Sequence, residues 1–231
     1  MKNAIFNWSG GKDSAIALYR ILKDNEFAVK YLITTFGPDK ITQMHRIPVD
    51  LIEKQAASLG MQLLKLELPE NPTDTAYTRQ MKEVFNSLKQ EDIHFTIYGD
   101  IFLEDVRRYR EDRARESKMN AVFPIWQVSS KELMEGFIDD GFKAKVICIN
   151  PKKLDESFLG REIDREFLAD LPGDVDPAGE NGEFHTFVYD GPIFKYPVNF
   201  GFGEMERIDY AKGANAEYDS EFVYKPVVSS K

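Results

Sequence analysis

The chain has 231 residues, 42% of them hydrophobic and 13% aromatic, enough for one large packed domain or two small ones. A net charge of −9 argues against a surface given over to nucleic acid, where a basic excess is expected. A single cysteine, Cys148, excludes an internal disulfide and any cysteine-only metal or iron–sulfur centre. No signal peptide and no apolar run of membrane-spanning length is read, so a cytoplasmic address without a membrane partner is expected.

The first apolar stretch, Asn3–Trp8, is predicted as a strand. It runs into Ser9-Gly10-Gly11-Lys12-Asp13-Ser14 and then a helix whose Ala15, Leu18, Tyr19 and Leu22 share one face. Two adjacent glycines let the backbone come close to a ligand. The first N–H groups of the helix have no internal partners and favour an anion, so the turn suits a phosphate. Ser9 and Ser14 offer hydroxyls and Lys12 a point charge, while Asp13 either caps the helix or reaches a metal. A Walker loop, G-x-x-x-x-G-K-[ST], is not matched.

Ala28–Thr35 follows as a buried strand ending in Thr34-Thr35-Phe36-Gly37-Pro38. Pro48–Ser58 reads as a helix closed by Gly60, and Leu64, Leu66 and Leu68 alternate as a strand. Tyr77, Met81, Val84, Phe85 and Leu88 form a helical stripe. Phe95–Tyr98 is a short strand leading to Gly99-Asp100 and a charged helix from about Leu103 to Met119. Such β–α units predict an α/β fold, a doubly wound, mainly parallel, Rossmann-like sheet with helices on both faces. Ligands bind at the carboxyl ends of such strands, so Ser9–Ser14, Thr34–Arg46 and Gly99–Arg108 are the candidate loops. Glu104 and Arg108, one turn apart on the charged helix, either reach this edge or are solvated charges.

From Phe123-Pro124-Ile125-Trp126 the rhythm changes, and a smaller α/β domain is expected, dividing the chain into 1–122 and 123–231. It begins with a helix from Ser130, Ser130 as its cap and Gly141 just past its end. A strand, Lys143–Ile149, then holds Cys148 as a core thiol. After the loop-rich Leu171–Gly179 comes the densest polar cluster, Gly179-Glu180-Asn181-Gly182-Glu183-Phe184-His185-Thr186. Strand alternation sends Phe184, Thr186 and Val188 to one side and places Glu183 with His185 on the other. Spacing alone fits a hairpin turn with solvated charges equally well. His94 reads as a surface residue.

The S-G-G-K-D-S turn resembles the pyrophosphate loop of the N-type ATP pyrophosphatases, the PP-loop superfamily. Taken with Tyr98-Gly99-Asp100-Ile101, Phe123–Trp126, Gly179–Thr186 and Asp190-Gly191-Pro192-Ile193-Phe194, the chain resembles the diphthine–ammonia ligase family from Ala4 to Pro197. The resemblance implies an N-terminal ATP-binding domain of adenine nucleotide α-hydrolase type. It also implies an ATP-dependent ligase that converts a carboxylate and ammonia to an amide, releasing AMP and pyrophosphate. Ser9, Gly10, Gly11, Lys12, Asp13, Ser14, Thr34 and Thr35 would bind ATP. Asp13 and Asp100 would hold Mg²⁺, and Lys12, Asp100, Glu183 and His185 would be catalytic. His45, which follows Met44, would line the acceptor side with Glu104, Arg108, Glu180, Asn181 and Thr186. A carboxylate acceptor, a small molecule or a modified protein side chain, and ammonia are the implied partners; a homodimer is left open. Ala178 stands where diphthine-forming members carry a cysteine, and the Phe102-Leu103-Glu104-Asp105 and Glu183-Phe184-His185-Thr186 runs look like the family's bacterial branch, whose acceptor can differ. The alternatives are a catalytically silent adenine-nucleotide-binding regulatory protein and a PP-loop enzyme acting on another acceptor.

Overall fold

The computed structural model describes residues 1–43, 45–69, 74–210 and 221–230, so Met44 lies outside the described residues. The first half alternates β1 (Lys2–Asn7), α1 (Lys12–Asp24), β2 (Phe27–Phe36), α2 (Val49–Leu59), β3 (Gln62–Glu67), α3 (Asp74–Leu88), β4 (Phe95–Ile97), α4 (Glu104–Glu116) and β5 (Asn120–Val122). The five strands form one sheet in the order β3-β2-β1-β4-β5, and every neighbouring pair is parallel. The doubly wound α/β architecture is therefore present.

Alternation along the strands decides what each face buries. Ala4, Phe6 and Leu32 face α1 and α2, whereas Ile5 and Ile33 face Met81, Phe85 and Leu88 of α3 and Ala114 of α4. Each large side chain moved out of water in this way contributes roughly 2–3 kcal/mol. Chain order reverses at β1: β2 and β3 extend the sheet one way, β4 and β5 the other. Such a switch point opens a crevice between the carboxyl ends of β1 and β4. The diglycine turn leaves one of these strands and Tyr98-Gly99-Asp100 leaves the other.

The second half holds α5 (Ser130–Asp139), β6 (Lys143–Ile149), α6 (Arg165–Asp170), β7 (Phe184–Asp190), β8 (Phe200–Phe202), β9 (Glu206–Asp209), β10 (Glu221–Tyr224) and β11 (Val227–Ser229). A four-stranded antiparallel sheet runs β7-β6-β10-β9, and β11 pairs with β8. Leu133, Met134 and Phe137 of α5 and Val146 of β6 share one apolar cluster with α1 and α2, so the two sheets are joined by a continuous core. Ser129, not Ser130, occupies the N-cap position of α5, with no side-chain cap bond; Ser130 is instead the first, buried helical residue. Gly141 does lie past the helix end, at φ +84°. Neither β5 nor α6 was anticipated: three and six residues are too few for periodicity to register. Among the described residues no helix is long and apolar enough to cross a membrane.

Candidate functional site

The turn after β1 is closely packed by neighbouring side chains. Gly10 has φ +83°, and a Cβ there would lie 2.7 Å from Ile52 Cδ1. Gly11 takes the N-cap position of α1, so Asp13 stands in the first turn rather than capping it. The serine hydroxyls are used within the turn: Ser9 Oγ donates to Ser14 Oγ at 3.1 Å, and Ser14 Oγ to the Gly11 carbonyl at 2.9 Å.

Edge strand β7 is seated on this turn. An edge strand carries unpaired N–H and C=O groups that need partners. Here Val188 N–H donates to the Gly10 carbonyl at 2.9 Å, and Lys12 N–H donates to Thr186 Oγ1 at 3.1 Å. Gln55, fully buried on the apolar face of α2, ties the junction together. Its amide nitrogen donates to the carbonyls of Gly10 (3.1 Å) and Val188 (2.6 Å), and its oxygen accepts from the Trp8 indole at 2.8 Å.

Four charged side chains meet around the start of α1. The Lys12 chain is buried; its Nζ lies 2.9 Å from Asp13 Oδ2 and 5.3 Å above the Phe184 ring. The other Asp13 oxygen, Oδ1, is buried with no hydrogen-bond partner among the described residues. Tyr98-Gly99-Asp100 presses against the same turn, because a Cβ on Gly99 would sit 3.0 Å from the Asp13 carbonyl. Asp100 is held by Arg110 Nε at 2.9 Å. Glu180 reaches across from the turn that precedes β7, its Oε1 accepting from Ile101 N–H at 3.3 Å. Burial, then the negative charges of Asp13 and Asp100, push the Glu180 carboxyl up to about 7, against the pull of Lys12 and the Ile101 N–H.

Two imidazoles cover the other flank. His45 Nδ1 lies 3.1 Å from the Thr186 carbonyl, and its ring centre is 4.8 Å from that of His185. A Cβ on Gly11 would fall 2.5 Å from His45 Cε1. Burial holds His45 below the usual histidine range, partly offset by its bond to Thr186. Burial, His45 and Lys12 together hold His185 well below it, so both rings are neutral at neutral pH.

The turn before β7 separates the two glutamates. Glu183, 1% exposed, accepts from Asp176 N–H (3.0 Å), Asn181 N–H (2.9 Å) and Asn181 Nδ2 (3.1 Å). The alternation expected to place Glu183 beside His185 begins only at Phe184, where β7 starts; Glu183 is turned back into its own loop. Asn181 is thereby committed to Glu183. Thr34 and Thr35 sit at the carboxyl end of β2, beside Trp8, whose N–H bonds the Ile33 carbonyl. Glu104 and Arg108 are exposed; Arg110, two residues further along α4 and so on a different side of the helix, is the arginine that meets Asp100. His94 is exposed next to Asp92. Cys148 is buried in β6, and burial pushes its thiol up to about 12. Gln55, Trp8 and Arg110 escaped the sequence reading. A glutamine among Leu51, Ile52, Ala56 and Leu59 was a legible signal for the first, whereas nothing distinguished Arg110 from its four neighbouring arginines.

Fold and site together define an α/β protein with the Rossmann-like architecture of the PP-loop fold, carrying a diglycine turn at the switch point of a parallel sheet. Residues 1–121 match the family model of the diphthamide synthase N-terminal domain and residues 129–214 that of the diphthamide synthase C-terminal domain. The chain belongs to the diphthamide synthase family. Curated relatives agree. The diphthine–ammonia ligases of Bos taurus and Homo sapiens are 26% identical over 163 residues, 64% of this chain and 61% of theirs. That of Rattus norvegicus is 25% identical over 216 residues, 82% of this chain and 79% of its own.

Proposed function

We propose that the protein is an ATP-dependent ligase that joins ammonia to a carboxylate, releasing AMP and pyrophosphate, with diphthine as the first acceptor to try. The observation that carries this is Glu180: the turn before β7 brings a carboxyl, pushed up to about 7, to the diglycine turn, beside Asp13, Asp100 and Lys12. A protein that only bound nucleotide would have no use for such a base. Ammonia near neutral pH is mostly ammonium and must lose a proton before it can attack. Glu180 is suited to hold that cation and accept its proton, because a base is most effective when its pKa lies near the working pH. Glu183 then acts by position, keeping the Asp176–Asn181 turn in the shape that aims Glu180. The Lys12 side chain and the N–H groups of Asp13 and Ser14, which have no partner within the helix, would hold the departing pyrophosphate.

Asp13 fits the role of a Mg²⁺ ligand, since its buried Oδ1 lacks a partner; Asp100 would stand second. No three metal-ligating side chains converge among the described residues, so phosphate and water would complete the shell. Bound there, Mg²⁺ would offset charge on the pyrophosphate. ATP, magnesium and ammonium are incubated with candidate carboxylates, beginning with a diphthine-bearing protein. AMP and pyrophosphate in equal amounts support the reading. ADP as product overturns it.

A further inference from the structure

Thr186 stands where the expected division of labour fails. Its motif was assigned to the acceptor, yet the residue is 1% exposed and its hydroxyl lies against the diglycine turn, accepting from Lys12 N–H at 3.1 Å. Its carbonyl is fixed from the other side by His45 at 3.1 Å, and two residues on, Val188 is bonded to Gly10. Phe184, two residues back, lies under the Lys12 ammonium. One face of β7 thus meets the turn at three successive positions. Among the described residues Thr186 Oγ1 makes this single hydrogen bond, as acceptor, which leaves its own proton to give.

We infer that Thr186 is a pyrophosphate-binding residue. It is a hydroxyl that the second sheet contributes to the phosphate cradle, donating to the same anion that the Lys12 side chain attracts. The inference rests on the proposed reaction and reassigns this part of the motif from acceptor to leaving group. In an in-line displacement the attacking carboxylate approaches phosphorus opposite the leaving group, so a hydroxyl in the leaving-group cradle cannot also hold the acceptor. The assignment also gives the docking of β7 onto the turn a purpose: the Thr186 hydroxyl takes up the Lys12 N–H and offers its own proton in that donor's place, beside serines that are bonded to each other.

The test is calorimetric binding of magnesium pyrophosphate and, separately, of AMP to the full chain, its Thr186→Val variant and its Thr186→Ser variant, with melting temperatures alongside. Thr186→Val is expected to lose roughly tenfold to a hundredfold in pyrophosphate affinity, the span of one hydrogen bond to a charged group. It should bind AMP as the parent does, and Thr186→Ser should stay close to the parent for both. Equal loss for pyrophosphate and AMP would mean a structural role and overturn the inference. So would an unchanged or tighter pyrophosphate affinity in Thr186→Val, or a loss in Thr186→Ser as large as in Thr186→Val. If the parent itself does not bind pyrophosphate, the proposed reaction falls with it.

Discussion

Replacing Glu180 by glutamine isolates one titration from the stability of the whole protein. The glutamine keeps a carbonyl oxygen for Ile101 N–H and removes only the ionisable proton. In the parent the carboxyl rises from an ordinary 4.5 to about 7, so between these values the folded state binds more protons than the unfolded one. Stability from this group is therefore present at acid pH and lost as pH climbs through about 7. A displacement of this size is worth at most roughly 3 kcal/mol at 1.36 kcal/mol per pH unit, and partial solvent access to this half-buried site reduces it to about 1–2. His45 and His185 act in the opposite sense. Both are depressed in the fold, so the unfolded chain binds more protons below 6.5 and their contribution grows as pH rises towards that value. Urea unfolding from pH 5 to 8.5 should show the parent curve flattened by the two opposing terms and the Glu180→Gln curve rising. The gap between them should change by about 1–2 kcal/mol in favour of the variant across that range. Curves that run parallel would refute the buried, charge-crowded placement of Glu180.

Other perturbations follow from the same contacts. Gln55→Leu takes a donor from the Gly10 and Val188 carbonyls, the first still held by Val188 N–H, and the acceptor from the Trp8 indole, and should cost about 2–4 kcal/mol in chemical denaturation. Gly11→Ala drives a Cβ into His45 Cε1, so its destabilisation should shrink by about 1–2 kcal/mol in a His45→Ala background, read as the coupling of a double-mutant cycle. Lys12→Met removes the buried charge at the diglycine turn and, on the proposed reaction, should slow AMP release about a hundredfold or more while the far-ultraviolet spectrum is unchanged. Glu183→Ala frees three donors in the Asp176–Asn181 turn and should lower the melting temperature, whereas Glu180→Gln should stop turnover without doing so.

Much of the fold was legible because it is local. The glycine pair, the apolar spacing of α1 and α2 and the short alternating strands each express backbone preferences within a few residues, and they place the Ser9–Ser14 turn correctly between β1 and α1. Asp100 likewise falls at the end of β4, on the crevice edge. Where the reading stopped was at choices between like residues. Glu180 and Glu183 are equivalent by composition and differ because three donors of one turn capture the second. Arg108 and Arg110 differ by two positions on a helix, and only the rotation of α4 against β4 sends one to Asp100.

The amino-acid order alone determined a parallel α/β sheet, a diglycine turn on its first strand and a family likeness spread along the chain. Only the tertiary structure decided that β7 closes on that turn. The Lys12–Thr186 bond joins residues 174 apart, and Gln55 bonds to Val188 133 residues away. Contacts of that range depend on how two sheets share one core, on which face an edge strand presents and on a bulge in β6 that shifts its register, none of which is encoded in any short window of residues.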